Sequence, residues 1–235
     1  MLVTVHVLDR PSWAALTGPH ARFARIVGYA ARYDPEVAPF FALENAADPR
    51  CWDDLATLAG PGTELSISAT PPAGVDWEIH GTRGTLQLVG ATVPAVPDPE
   101  ATMLTAEDVP EMIDLVRRTE PGPFGPRTIE LGTYLGIRRD GRLVAMAGER
   151  IRPPGWSEIS AVCTDPAYRR RGLAARLVLA VAAEIYDRGE RPFLHTVAAN
   201  APANRLFTSL GFVRRKEQRT VSLRVPVSPA PSPRS

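Results

Sequence analysis

Asp165-Pro-Ala-Tyr-Arg-Arg-Arg-Gly-Leu-Ala174 carries three basic residues and a glycine between two strongly patterned apolar segments. Ahead of it, Ile159-Ser-Ala-Val-Cys-Thr164 alternates apolar and small residues without Gly or Pro, the pattern of a strand covered on both faces. Behind it, Leu173, Leu177, Val178, Val181, Ala182 and Ile185 recur at helical spacing until Arg188-Gly189 supplies a basic last turn and a C-terminal glycine. The stretch therefore reads as a strand end, a turn and a helix start. Backbone N–H groups at a helix start are unpaired and lie at the positive end of the helix dipole, so such a turn can hold a pyrophosphate mainly by main chain. Gly172 lets the backbone come close, Leu173 and Ala174 open the helix, and Arg169, Arg170 and Arg171 add charge that phosphate oxygens can use. These residues point to a nucleotide-derived cofactor. A solvated arginine cluster ahead of an ordinary helix is the plainer reading of the same residues.

Working outward, a strand-like run Pro192-Phe-Leu-His-Thr-Val197 is followed by Asn200-Ala-Pro-Ala-Asn-Arg-Leu-Phe207 and Leu210-Gly-Phe212. Taken with Arg169-x-x-Gly172-x-Ala174, this order resembles the GCN5-related N-acetyltransferase (GNAT) superfamily. Its acyl-CoA pyrophosphate loop reads Gln/Arg-x-x-Gly-x-Gly/Ala, and its later helix reads Asn-x-x-Ala-x-x-Leu-Tyr before Gly-Phe. Residues Thr102 to Leu223 cover the whole acetyltransferase domain, and Glu149 to Phe212 are most similar to the FR47-like branch, which includes glycine N-acyltransferase-type enzymes. The competing dinucleotide reading weakens because no second Gly-rich turn with a ribose-binding acid follows.

The chain has 235 residues, with 27 Lys plus Arg against 26 Asp plus Glu, so no global field favours nucleic acid or an anionic membrane. Lys216 is the lone lysine, a bias toward Arg that reads as genomic before it reads as functional. Cys51 and Cys163 are too few and too far apart for a disulfide framework. No apolar run has the length of a membrane span, and Met1-Leu-Val-Thr-Val-His-Val7 lacks a basic start and cleavage site, so a cytoplasmic protein opening on a strand is expected.

The expected organisation is an α/β N-terminal domain over residues 1–95, for which a degenerate GNAT-like half is one of two open readings, then a GNAT domain over 100–225 and a disordered Pro/Ser tail over 226–235. Residues 11–32 predict two helical pieces, 37–43 a strand and 52–58 a short helix. Residues 64–68 and 84–89 predict strands of a small sheet local to this half. Val93-Pro-Ala-Val-Pro-Asp-Pro99 reads as the linker. Beyond it, 102–105 predicts a strand, 107–117 a helix, 134–137 and 143–147 a hairpin around Asp140-Gly141, and 212–225 a closing pair of strands. The fold class expected is α/β, with a mixed, mostly antiparallel central sheet flanked by helices.

Acyl transfer from a thioester to an amine needs a bound acyl-CoA, a deprotonated amine and stabilisation of a tetrahedral oxyanion. Glu158, at the start of the central strand, resembles in position the base glutamate of histone-type and glycine-type members. In an apolar cleft its pKa would rise toward the working range. Pairing with Arg150 or Arg152 is the plainer alternative. Glu149, ending the preceding strand, is the competing base, or simply faces solvent. The resemblance implies that the N–H groups around Val162, Cys163 and Thr164 bind the pantetheine arm and the thioester oxygen, the strand splaying from residues 192–197 to leave them unpaired. Asn200 matches the motif residue that reaches the cofactor, and is equally placed to be a helix N-cap. Phe207 departs from the family's Tyr and has no hydroxyl for the leaving thiolate; Tyr134 and Tyr168 are weak substitutes. His195 and Cys163 read first as core residues, and no His/Cys/Asp spacing resembles a metal site.

The function implied is direct transfer of acetyl from acetyl-CoA to an amine of a small molecule or amino acid, without metal. A protein or peptide N-acetyltransferase and a non-catalytic acyl-CoA sensor are the alternatives. The partners expected are an acyl-CoA and an amine acceptor, with no nucleic acid and no membrane; a homodimer is compatible with the sequence.

Overall fold

The computed structural model describes residues 6–227. The opening strand expected from Met1 falls largely on residues outside this range, as does most of the expected Pro/Ser tail; Val7–Asp9 is a 3-10 turn. Helix α1 (Pro11–Leu16) uses Pro11 in its first turn, where the missing N–H costs nothing. The second helical piece expected up to Arg32 is instead a hairpin of β1 (Ala24–Val27) and β2 (Ala30–Tyr33), preceded by a 3-10 turn at Ala21–Phe23. Gly28 adopts φ 50, a turn conformation that a helix cannot contain, and Ile26-Val27 suit a strand. The strand expected over 37–43 shortens to β3 (Phe41–Leu43), which completes a three-stranded antiparallel sheet. Helix α2 (Pro49–Ala59) is capped by Asp48 and stops at Gly60, φ 88. It buries Trp52, Leu55 and Leu58.

After α2 come β4 (Glu64–Ile67), the long β5 (Glu78–Gly90), β6 (Thr102–Met103), α3 (Val109–Thr119), β7 (Tyr134–Arg139), β8 (Arg142–Glu149) and β9 (Trp156–Thr164). Then follow α4 (Leu173–Asp187), β10 (Arg191–Val197), α5 (Ala201–Ser209) and β11 (Phe212–Arg224). The main sheet has the order β4-β11-β5-β10-β9-β8-β7-β6. Its neighbours are antiparallel except β9 and β10, so the α/β class with a mixed, mostly antiparallel sheet is as expected.

Two expectations change. The closing pair of strands is one 13-residue strand, β11, and its partner β5 comes from before the Pro-rich segment. Likewise β4 and β5 do not build a local sheet: β5 lies between β10 and β11, and β4 edges the same sheet. Val221, Leu223 and Val225 pack into one cluster with Trp52, Leu55 and Trp77, so apolar contacts also cross the expected boundary near residue 95. The reason is the pairing need of a long edge: β11 has no hairpin partner of its own, and β5 supplies one.

Helix α4 lies on the sheet through Leu177, Val181 and Ile185, which share a cluster with Ile137, Val144, Ile159 and Leu194. Each such side chain, fully buried, stabilises by roughly 1.5–3 kcal/mol. This packing fixes where the helix begins relative to the end of β9. Among the described residues no helix is long and apolar enough to cross a membrane.

Candidate active site

Strands β9 and β10 run parallel and pair only at Trp156–Arg191, Ser157–Pro192 and Glu158–Phe193. Beyond that point they part, and from Ile159 to Thr164 the β9 edge on this side has no strand against it. The cavity that opens there, of about 1630 Å3, is lined along one stretch by residues 159–164, by His195, Thr196 and Val197 of β10 and by Thr85 of β5. On its other face β9 is irregular. Ala161 and Val162 together oppose Ala147, a bulge in which Ala161 takes φ 51. Left-handed backbone on an alanine carries a strain cost, and here it sits on the cavity wall.

The turn after β9 reaches the same cavity. Asp165 accepts a hydrogen bond from the Ala167 N–H (2.9 Å) and is paired with Arg118 at the end of α3. Arg170 (φ 61) and Gly172 (φ 77) are left-handed, and Gly172 caps α4 without a side-chain hydrogen bond. The first bond of the helix runs from Arg176 N–H to Gly172 C=O, so the N–H groups just ahead of it are free to meet an anion. Arg169, Arg170, Gly172, Leu173 and Ala174 line the cavity. Arg171 does not: its guanidinium lies over the Tyr168 ring, 5.1 Å from the centroid, and donates to the Ala167 carbonyl. Opposite, Asn200 caps α5 by accepting from Ala203 N–H (3.2 Å), and it lines the cavity together with Phe207. Phe207 packs edge-on against Phe212 and presents no hydroxyl.

Glu158 differs from expectation in its chemistry. It is fully buried and does not line the cavity, whereas Arg150 and His195 do. The Arg150 guanidinium holds it with two bonds, Nε to Oε2 (2.9 Å) and Nη2 to Oε1 (2.7 Å). His195 Nδ1 lies 2.8 Å from Oε1. Burial pushes the carboxyl up, but the Arg150 charge and the His195 hydrogen bond outweigh it and hold its pKa at about 2. The rise expected in an apolar cleft therefore does not occur, and the pairing with Arg150 is what is found. A carboxylate this acidic has little drive to take a proton from an amine.

His195 belongs to the same network. Gln87 Oε1 accepts from Arg215 (2.9 Å), which turns Gln87 Nε2 toward the Leu8 carbonyl (2.9 Å) and His195 Nε2 (3.1 Å). His195 Nε2 is thus an acceptor and its Nδ1–H donates to Glu158. Both ring nitrogens are engaged, so the histidine fixes Glu158 rather than carrying a free lone pair into the cavity. Glu149 lies apart from this group. Its carboxylate is buried, bonded to Ser157, Arg188 and the Thr133 N–H, and lines a separate recess of about 400 Å3, so the two carboxylates do not share a proton. Cys163 lines the main cavity, where burial pushes its thiol up to about 11; it behaves as a small core residue. Tyr134 is buried with its hydroxyl unpaired and lies outside the main cavity. Among the described residues, no three His, Cys, Asp or Glu side chains are grouped to hold a metal.

The chain has relatives of the same fold. The family model described as FR47-like protein matches residues 134–221, from the start of β7 into β11. A crystal structure of a GNAT-family protein from Novosphingobium aromaticivorans is 42% identical, with a TM-score of 0.83, covering 93% of this chain and 98% of that one. The chain belongs to the GNAT family. It is an acetyltransferase of that family, and residues 134–221 are its FR47-like stretch. A GCN5-related N-acetyltransferase from Kribbella flavida shares the fold at 18% identity, with a TM-score of 0.57 over 90% of this chain and 95% of that one. A mycothiol acetyltransferase from Thermomonospora curvata is 34% identical over 117 residues, 49% of this chain. The match spans about a third of that relative's length, 36%. The sequence offers the Arg150–Glu158 pair but not its extension through His195 and Gln87 to Arg215. The members of this network lie on four strands and the loop after β8, and no local motif links Gln87 to His195.

Proposed function

We propose that this GNAT protein transfers acetyl from acetyl-CoA directly to the amine of a small molecule or amino acid. The observation that carries the reading is the parting of β9 and β10 after Glu158 and Phe193, which opens a free strand edge onto the cavity that the uncapped start of α4 also reaches. The N–H groups around Val162, Cys163 and Thr164 take the pantetheine arm and the thioester carbonyl. The start of α4, with Arg169 and Arg170, takes the pyrophosphate, while Asn200 and Phe207 close the opposite wall. The cavity exceeds the ~300–1,000 Å3 of an ordinary small-molecule site, leaving room for an elongated donor and a second substrate. Trp13, Tyr33 and Phe40, from the N-terminal half, also line the cavity, which favours a small acceptor over a folded polypeptide.

In the step itself the amine nitrogen attacks the thioester carbonyl carbon, the C–S bond breaks, and the oxygen's developing charge meets main-chain donors of β9. The acidic, enclosed Glu158 is a positioning group, and the acceptor attacks as its free base after losing its proton to water. As the C–S bond breaks, the nitrogen made positive by the attack gives a proton to water and the leaving thiolate takes one from water, since Phe207 has none to give; thiols are acidic enough for this.

The test is CoA release from acetyl-CoA with a panel of amino acids, simple amines and peptides, coupled to mass spectrometry of the protein. Turnover of small amines with sequential kinetics and no acetylated enzyme is expected. Turnover confined to peptides, or a covalent acetyl-enzyme on the reaction path, would overturn it.

A further inference from the structure

The edge of Arg150 that Glu158 leaves unused points to the acceptor's chemistry. Nε and one side of Nη2 are taken by Glu158. Among the described residues Nη1 makes no hydrogen bond, so the end-on fork of Nη1 and Nη2 is open. The guanidinium is held in place twice over, by the buried Glu158 and by the Phe40 ring, whose centroid lies 4.8 Å from Cζ. Its side chain is 16% exposed, and that exposure is to the cavity, which Arg150 lines next to His195 and the start of the β9 edge. A planar fork fixed in this way matches a carboxylate oxygen for oxygen.

The surrounding charge favours the same ligand. Three acids line the cavity: Asp9 is bound by Arg215, Glu64 by Arg224, and Glu120 has no basic partner among the described residues. Arg10, Arg32 and Arg83 line it without a carboxylate partner among the described residues. These three unpaired arginines outnumber the one unpaired acid, so the lining of the cavity carries net positive charge although the whole chain is near neutral.

We propose that the acceptor is an amine bearing a carboxylate close to its nitrogen, as in an α-amino acid, and that the open fork of Arg150 binds that carboxylate beside the β9 edge. This rests on the transfer reading above and narrows it. Arg150 is then a specificity-determining residue, with Glu158 and Phe40 as positioning residues. The carboxylate on Arg150 leaves the amine one or two bonds away, facing the strand edge that holds the thioester.

The experiment compares, on the wild-type protein with acetyl-CoA, matched sets of an α-amino acid, its amide, its decarboxylated amine and O-phosphoethanolamine. The amino acids are expected to exceed their amides and decarboxylated counterparts by about 100-fold or more in kcat/KM, because a fork left unpaired rejects the truncated ligand. Arg150→Lys keeps the charge beside Glu158 but loses the fork; it should raise KM for the amino acid by a similar factor and leave KM for acetyl-CoA unchanged. If that variant does not fold, Arg150→Met combined with Glu158→Gln removes both charges together and takes its place. Equal turnover of amides and decarboxylated amines, or preference for O-phosphoethanolamine, would overturn the carboxylate assignment and leave the transferase reading standing. No turnover of any amine by protein that binds acetyl-CoA would sink both.

Discussion

Glu158 shows how far a residue's role depends on what surrounds it. The carboxylate sits at 0% exposure, and burial alone would make it a stronger base; the Arg150 charge and the His195 hydrogen bond reverse the sign and leave its pKa at about 2, against an ordinary 4.5. A group depressed in the folded state contributes stability above its unfolded pKa and loses it as pH falls through the folded one. Urea midpoints measured against pH should therefore fall between about pH 5 and pH 2, and in Glu158→Gln this part of the fall should be missing. The same variant strands the Arg150 charge and should cost about 3–5 kcal/mol at neutral pH in the same denaturation experiment. Kinetics offers an independent check. With the acceptor attacking as its free base, log kcat/KM should climb up to the acceptor's own ammonium pKa, with no inflection belonging to Glu158 between pH 4 and 7. The glutamate and its nearby arginine were both legible in the sequence as a base or as a pair. Only the geometry chose between them, since Glu158 and Arg150 are brought together by the antiparallel turn from β8 to β9.

At the scale of elements, the segment from β9 to α4 was the most legible part of the chain. Strand, turn and helix are each coded locally, by alternation, by Arg169 to Gly172 and by the Leu177–Val181–Ile185 stripe, so no distant contact was needed to read them. The bulge inside β9 was not legible. Ala161 is an unremarkable residue, and its left-handed backbone is imposed by the two-against-one register with β8. A β-branched side chain tolerates that conformation worst, so Ala161→Val should destabilise the protein by about 1–2 kcal/mol and raise KM for acetyl-CoA. Thermal melts and donor titrations on one preparation check both. At the turn, the space beside Gly172 is open, so Gly172→Ala meets only the backbone penalty of φ 77, about 1 kcal/mol. Weaker acetyl-CoA binding beyond that cost would be measured by calorimetry. The N-terminal hairpin β1–β2 escaped sequence reading because helix-forming Ala and Arg surround a strand only four residues long.

The whole molecule is set by one long-range event, the insertion of β5 between β10 and β11. Without it, β11 would present a 13-residue unpaired edge, and Val221, Leu223 and Val225 would lose the α2 side of their cluster. A fragment of residues 100–235 should therefore fail to fold alone, seen as lost cooperativity in thermal melts, and should regain structure when residues 1–99 are co-expressed. An independently folded fragment would restore the two-domain division read from the Pro-rich segment. The half from β9 onward was readable from local order alone: the Arg169–Gly172 turn, the strand that leads to it, the Asn200 helix and the absence of a tyrosine at Phe207 are local patterns with local causes. The tertiary structure alone decided three things. Residues 64–90 complete the same sheet as β9 and β10, the N-terminal half lends residues to the cavity wall, and Glu158 is locked in an ion pair with Arg150. The physical reason is common to all three. Strand pairing and buried charge pairing are satisfied by whichever partner the fold brings near, and neither the partner's position in the chain nor its distance leaves a periodic trace that sequence reading can follow.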